Sequence, residues 1–169
     1  MSGTMNIITK KLLTSMLFCC SLISCAQQLP LQWSKCFGGS DFDHAYSLKQ
    51  TSDGGYIVCG ETNSTNGDVS QVAINSFHSA WLVKLNSSGA IDWQNCYLGR
   101  GDGVTSFYHN AIAYSVLQTT DGGYIAVGES TRYGTSVDGW VVKVNSTGIA
   151  QWQDTLGGSG QDGFNAIQP

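Results

Sequence analysis

Apolar residues in this chain fall in short runs rather than at helical spacing. Tyr56-Ile-Val-Cys, Trp81-Leu-Val-Lys-Leu, Tyr124-Ile-Ala-Val and Trp140-Val-Val-Lys-Val are each closed off by glycine, serine, asparagine or aspartate. Runs of this length, rich in β-branched and aromatic residues and bounded by turn formers, predict strands. Residues 45–51 and 56–62 form one predicted hairpin across Ser52-Asp53-Gly54-Gly55, where Asp-Gly supplies the positive-φ positions of a tight turn. Residues 81–85 and 91–96 form a second, across Asn86-Ser87-Ser88-Gly89. Because the central runs are apolar on both faces, the sheet is expected to be sandwiched between neighbours.

The pattern then copies itself. Residues 45–62 match 113–130 at twelve of eighteen positions, an offset of 68. Residues 81–93 recur as 140–152, an offset of 59, so the copies differ by segments at 63–80 and 97–111. Trp33, Trp93 and Trp152 mark three ends of the second block. Repetition at this period signals a repeat architecture. Four antiparallel strands per unit, stacked radially, is the plan of a β-propeller. The expected fold is therefore all-β: two full blades, flanked by a tryptophan-bearing outer strand at 31–37 and the start of a third unit at 156–168. Propellers usually need about four to eight blades, so the chain reads as a piece of a longer protein; the alternative is a small protein that completes its ring by assembling copies.

Composition agrees. Glycine is abundant at 21 residues and charge is sparse at 12 %, against about 25 % in an average domain. The first residues stand apart. Lys10 and Lys11 precede an apolar stretch, Leu12 to Ile23, that is too short for an ordinary membrane span. It ends in Leu22-Ile23-Ser24-Cys25, similar to a bacterial lipobox, in which the cysteine is lipidated and becomes the first mature residue. Ordinary cleavage after Ala26 is the alternative. Residues 1–24 are thus expected to be a signal peptide and 25–30 a linker, with repeats over 31–169. Export to the cell envelope is then expected, as an outer-membrane lipoprotein or in the periplasm, or release outside the cell.

Loss of Lys10 and Lys11 leaves six basic residues against twelve acidic, a net charge of −6. That balance argues against nucleic acid, which demands a basic surface. Membrane attachment would come through the lipid on Cys25 alone. Of the remaining cysteines, Cys36, Cys59 and Cys96, no pair has metal-site spacing, and neither a metal nor a cofactor is implied.

Candidate chemistry is thin. Asp53, Gly54 and Gly55, with Asp121, Gly122 and Gly123, sit at equivalent turns and read as structural. Glu61 and Glu129 are the best carboxylates for glycoside hydrolysis, but that reaction uses two carboxylates in different environments. Repetition should give them the same one, and a repeated ion pair to Lys84 and Lys143 is the plainer expectation. His44, His78 and His109 share no spacing and read as loop histidines. The unrepeated segments hold the candidate ligand-binding residues: Phe77, His78, Tyr97, Arg100, Phe107, Tyr108 and His109. Aromatics beside an arginine suit a glycan or a protein, or simply pack the loops.

The combination Trp-x-x-x-Phe/Leu-Gly-Gly-Ser, Asp-Gly-Gly-Tyr-Ile, Gly-Glu-Thr/Ser and Trp-Leu/Val-Val-Lys-Leu/Val-Asn-x-x-Gly-x-x-x-Trp resembles a family of secreted bacterial propeller-repeat proteins. The resemblance spans residues 31–169. It implies large surface proteins, some labelled endoglucanase without an evident active site; this chain shows no C-terminal sorting region of the kind such proteins carry. The Asn-x-x-Gly-x-x-x-Trp turn is also similar to the tryptophan-docking turn of PQQ-like propellers, which implies blade architecture rather than a quinone. A non-catalytic binding or adhesion module is the leading functional expectation. A glycan-degrading enzyme and an envelope scaffold subunit stand beside it.

Overall fold

The structure is a computed structural model that describes residues 31–70, 78–99, 109–132 and 136–169, with the side chains of 109 and 132 excepted. The chain divides into two units, Met1–Gln32 and Trp33–Pro169. Among the described residues there is no helix.

The second unit holds two four-stranded antiparallel sheets. The first comprises β1 (Asp43–Gln50), β2 (Tyr56–Thr62), β3 (Ser79–Leu85) and β4 (Ile91–Tyr97) in sequence order. The second comprises β5 (His109–Gln118), β6 (Tyr124–Arg132), β7 (Val137–Val144) and β8 (Ala150–Leu156), also in sequence order. Each hairpin turn forms at the residues that predict it. Thr51 and Gly55 close the first, with Gly54 at φ 79°, and Asn86 and Ala90 close the second, with Gly89 at φ 74°. The Asn86 side-chain oxygen accepts from the backbone of Ser88 and Ala90, and Asn145 does the same for Thr147 and Ile149. A short side chain that mimics a backbone turn is why asparagine opens both.

Packing obeys strand alternation. On β3, Ala80 and Leu82 face the second sheet, whereas Trp81, Val83 and Leu85 face the opposite side. There they lie in one apolar cluster with Trp33 and Phe37. On β7 the equivalents Trp140, Val142 and Val144 face the first sheet. The row Trp-x-Val-x-Leu/Val therefore faces the preceding part of the chain in both sheets. The opposite face of β7 meets the C-terminal segment, since a side chain at Gly139 would lie 2.8 Å from the Phe164 ring.

Two tryptophans register this stacking. The Trp33 ring covers Gly89, where a Cβ would approach it to 2.9 Å, and meets Tyr56 edge-to-face at 5.7 Å. The Trp93 ring covers Gly148, where a Cβ would come within 2.6 Å, and meets Tyr124 at 5.7 Å. Trp93 also donates its indole N–H to the Ser146 carbonyl at 2.9 Å. One docking arrangement is thus used twice.

The flanking segments differ from expectation. Residues 31–37 form no strand. A strand exists only beside a hydrogen-bonding neighbour, and these residues lie across the face of the first sheet through Trp33 and Phe37. Residues 157–169 form no strand either, although they repeat the earlier turn. Gly158 N–H donates to Asp162 at 2.8 Å, as Gly39 N–H donates to Asp43 at 2.8 Å. Backbone bonds from Asp162 to Val137 and from Phe164 to Gly128 tie the segment to the second sheet.

A β-bulge recurs in each sheet. Ala45 pairs with Gly60 and Ser47 with Cys59, leaving Tyr46 unmatched; Tyr114 is the extra residue between Ala113 and Ser115. Gly60 and Gly128 make room for it, because a Cβ there would sit 1.8 Å from the carbonyl oxygen of His44 or Ile112. Replacing Gly128 with alanine is expected to cost about 3 kcal/mol in urea unfolding followed by tryptophan fluorescence. Gly122→Ala, at φ 81° with open space around it, should cost only about 1–2 kcal/mol. Equal costs would show that the bulge does not constrain the sheet.

Candidate functional site

The repeated turn aspartates are occupied by the scaffold. Asp53 accepts from the Gly55 N–H at 3.0 Å and from the Thr51 hydroxyl at 2.5 Å; Asp121 accepts from Gly123 and Thr119 at the same distances. The other carboxylate oxygen of each meets a lysine, Lys84 Nζ at 2.8 Å or Lys143 Nζ at 2.9 Å. Those ammonium groups donate onward to the Leu85 and Val144 carbonyls. The residue after the positive-φ glycine must itself be glycine, since a Cβ at Gly55 or Gly123 would lie 2.2 or 2.4 Å from the Leu85 or Val144 carbonyl oxygen and 2.7 or 2.4 Å from the lysine Nζ.

This corrects the expected glutamate–lysine pairs. Lys84 stands opposite Ile57 in the β2–β3 register, and Glu61 stands opposite Ala80. Four residues along a strand separate the two by about 13 Å. The lysines belong to the turn at the other end.

Glu61 sits in a different setting. It is 6 % exposed, and the bulge turns Tyr46 towards it, so that the phenol donates to Glu61 Oε1 at 2.6 Å. His44 Nδ1 is 3.4 Å from the same oxygen, and His78 Nδ1 is 2.7 Å from Oε2. Both imidazoles turn Nδ1 to the carboxylate. The hydrogen bond to Glu61, together with burial, pushes the Tyr46 phenol up to about 12. In the second sheet Tyr114 donates to Glu129, and burial together with that bond raises its phenol well above the ordinary range. There Ile112 takes the place of His44 across the strand pair, and Val137, at the start of β7, takes the place of His78. Glu129 is also only half-buried. The two glutamates are therefore not alike, contrary to the expectation from repetition: the repeat fixes the strands, while single substitutions beside each carboxylate set its surroundings.

The histidines need the same correction. His44 lies on β1, opposite Glu61, and His78 precedes β3 with its N–H donating to Asn110 at 3.2 Å. His109 opens β5, and its side chain lies outside the described residues. Cys25, Phe77, Arg100, Phe107 and Tyr108 also lie outside them. Tyr97 is not an exposed loop aromatic. It ends β4, is 7 % exposed, and donates to the Gly148 carbonyl at 2.5 Å, so it serves the tryptophan-docking turn.

A different aromatic group escaped the sequence-based candidates. Phe42, just before β1, and His44 and Tyr46 on it follow an every-other-residue pattern, and their rings are spaced 6.3 Å apart, centroid to centroid. Tyr46 then meets Tyr114 at 5.2 Å with the rings 75° apart. The spacing Phe-x-His-x-Tyr was the available signal. A cavity of about 190 Å³ beneath Phe37 is lined by Val58, Trp81 and Val83, with Lys35, Asp43 and His44 at its polar side. Asp43 is engaged by Thr62, Ser64 and Gly39. Among the described residues, no three histidine, cysteine or acidic side chains are arranged to hold a metal ion. No protein-family model and no curated protein matches the chain.

The turn aspartates give a pH expectation. The Lys84 hydrogen bond holds Asp53 well below the usual carboxylate range, and the Thr119 and Lys143 bonds do so for Asp121. A folded-state pKa below the unfolded value of about 4 gives stability that is present above that pH and lost as the pH falls through the depressed values. The urea midpoint of the wild-type chain should therefore drop on acidification below about 4, and the Asp53→Asn, Asp121→Asn double variant should show a flatter profile. A parallel profile would show that these carboxylates do not set the acid sensitivity.

Proposed function

We propose that this chain is an exported envelope protein whose repeats are blades of a β-propeller and act as a non-catalytic binding module. Residues 1–24 direct export in this reading, and Cys25 carries the lipid that anchors the mature chain to the outer membrane. The support for blades is the iterated stacking, in which each sheet turns the same row towards the preceding part of the chain, and Trp33 and Trp93 each cover the glycine of the next turn. Labelled palmitate fed to a bacterium expressing the chain should enter the protein and be lost with Cys25→Ser. Label retained in that variant would overturn the anchor.

The observation that carries the non-catalytic reading is where the repeated polar residues are spent. Asp53 and Asp121 hold lysines and turn amides, and Glu61 Oε1 accepts from Tyr46, while Oε2 lies 2.7 Å from His78 Nδ1 without a hydrogen bond. Glycoside hydrolysis needs one carboxyl group free to protonate the leaving oxygen and another free to attack or to activate water. The partner of such a module is a glycan or a protein.

The different settings of Glu61 and Glu129 favour a second reading, that of a glycan-degrading enzyme. Incubation with soluble β-glucan is expected to release no reducing ends above buffer. Steady release that disappears in Glu61→Gln or Glu129→Gln would replace the binding reading with the enzymatic one.

A further inference from the structure

The rings along β1 and β5 have a property that the scaffold does not need. Phe42 is 68 % exposed and Tyr46 48 %, whereas Tyr97, Tyr124 and Trp140 are buried in the core. Exposed aromatics grouped in series mark a recognition surface more often than single ones do. Here the grouping is geometrically defined. Phe42 and His44 are near-parallel at 18°, and Tyr46 and Tyr114 stand at 75°, two walls of a corner.

The chemistry behind the walls is acidic. Tyr46 donates to Glu61 and Tyr114 to Glu129. A phenol that donates to a carboxylate is polarised, and the added electron density strengthens the negative face of its ring. The Nδ1 atoms of His44 and His78 lie 3.4 and 2.7 Å from Glu61, while Lys84 and Lys143 are held by Asp53 and Asp121. Electron-rich faces backed by carboxylates attract a weakly hydrated cation. They repel phosphate and other anions.

We propose that the Tyr46–Tyr114 corner, extended by Phe42, binds a small organic cation, a methylated or quaternary ammonium group. This rests on the binding-module reading and names its ligand class. Phe42 and Tyr46 supply ring faces, and Glu61 and Glu129 act through the phenols as positioning residues. The first repeat carries the more exposed wall, and its two histidines lie beside Glu61.

The test is an NMR titration of the exported chain with choline, with its uncharged carbon isostere 3,3-dimethyl-1-butanol, and with methyl β-glucoside, all at constant ionic strength. Choline is expected to shift the Tyr46, Tyr114 and Phe42 ring signals with a millimolar Kd, and the isostere to bind at least about 5-fold more weakly. Tyr46→Leu should weaken choline by about 5-fold, and Tyr46→Phe, which keeps the ring and loses the bond to Glu61, by about 2-fold. Glu61→Gln should weaken it by a similar factor without altering the far-UV spectrum. Equal response to the isostere, or no shift with choline at 100-fold excess over the expected range, overturns the cation site. If methyl β-glucoside shifts the same rings instead, the cation proposal fails while the binding module stands.

Discussion

A tryptophan ring laid over the backbone of the next repeat's turn governs much of this structure. Trp93 covers Gly148, hydrogen-bonds to the Ser146 carbonyl and is braced by Tyr124, while Asn95 and Tyr97 reach the Gly148 carbonyl from the same strand. This contact fastens the last strand of one sheet to the last turn of the next, beside the apolar rows that pack between them. It also dictates sequence. The turn residue must be glycine, because no other side chain leaves room for the indole. Trp33 on Gly89 shows that the arrangement belongs to the repeat rather than to one place in the chain.

That constraint brings a division of labour among the polar residues. Lysine and aspartate close the outer ends of the strand pairs at Asp53–Lys84 and Asp121–Lys143. Tyrosine and glutamate occupy the other end, where a bulge frees Tyr46 and Tyr114 from strict alternation. The scaffold needs the first pair for its turn geometry. The second pair lies beside exposed rings, and it is where the two repeats diverge, with His44 and His78 in one and Ile112 and Val137 in the other. Divergence at one spot on an otherwise repeated frame is how a scaffold acquires a specific surface.

Strands and turns were legible because their signals are local. Asp-Gly-Gly and Asn-x-x-Gly state their own backbone requirements, and both recur. Partnerships across strands were not legible, because they depend on register: repeat-equivalent positions suggested Lys84 for Glu61, whereas the register gives it to Asp53. Repetition also misled in the opposite direction. It suggested one environment for Glu61 and Glu129, yet environment comes from neighbours such as His78 that lie outside the matching blocks. Tyr97 looked like loop equipment because it borders an insertion, and its burial is decided by a turn more than fifty residues away. Residues 31–37 carry a strand's sequence without a strand's neighbour.

The most direct check is a double-mutant cycle between Trp93→Ala and Gly148→Ala, measured by urea unfolding. If the indole and the glycine form one docking contact, either change alone removes it. The double variant should then be little worse than the worse single, with a coupling energy of about 2 kcal/mol. Costs that add to within about 0.5 kcal/mol would mean that ring and turn act independently, and would contradict the stacking of repeats described here.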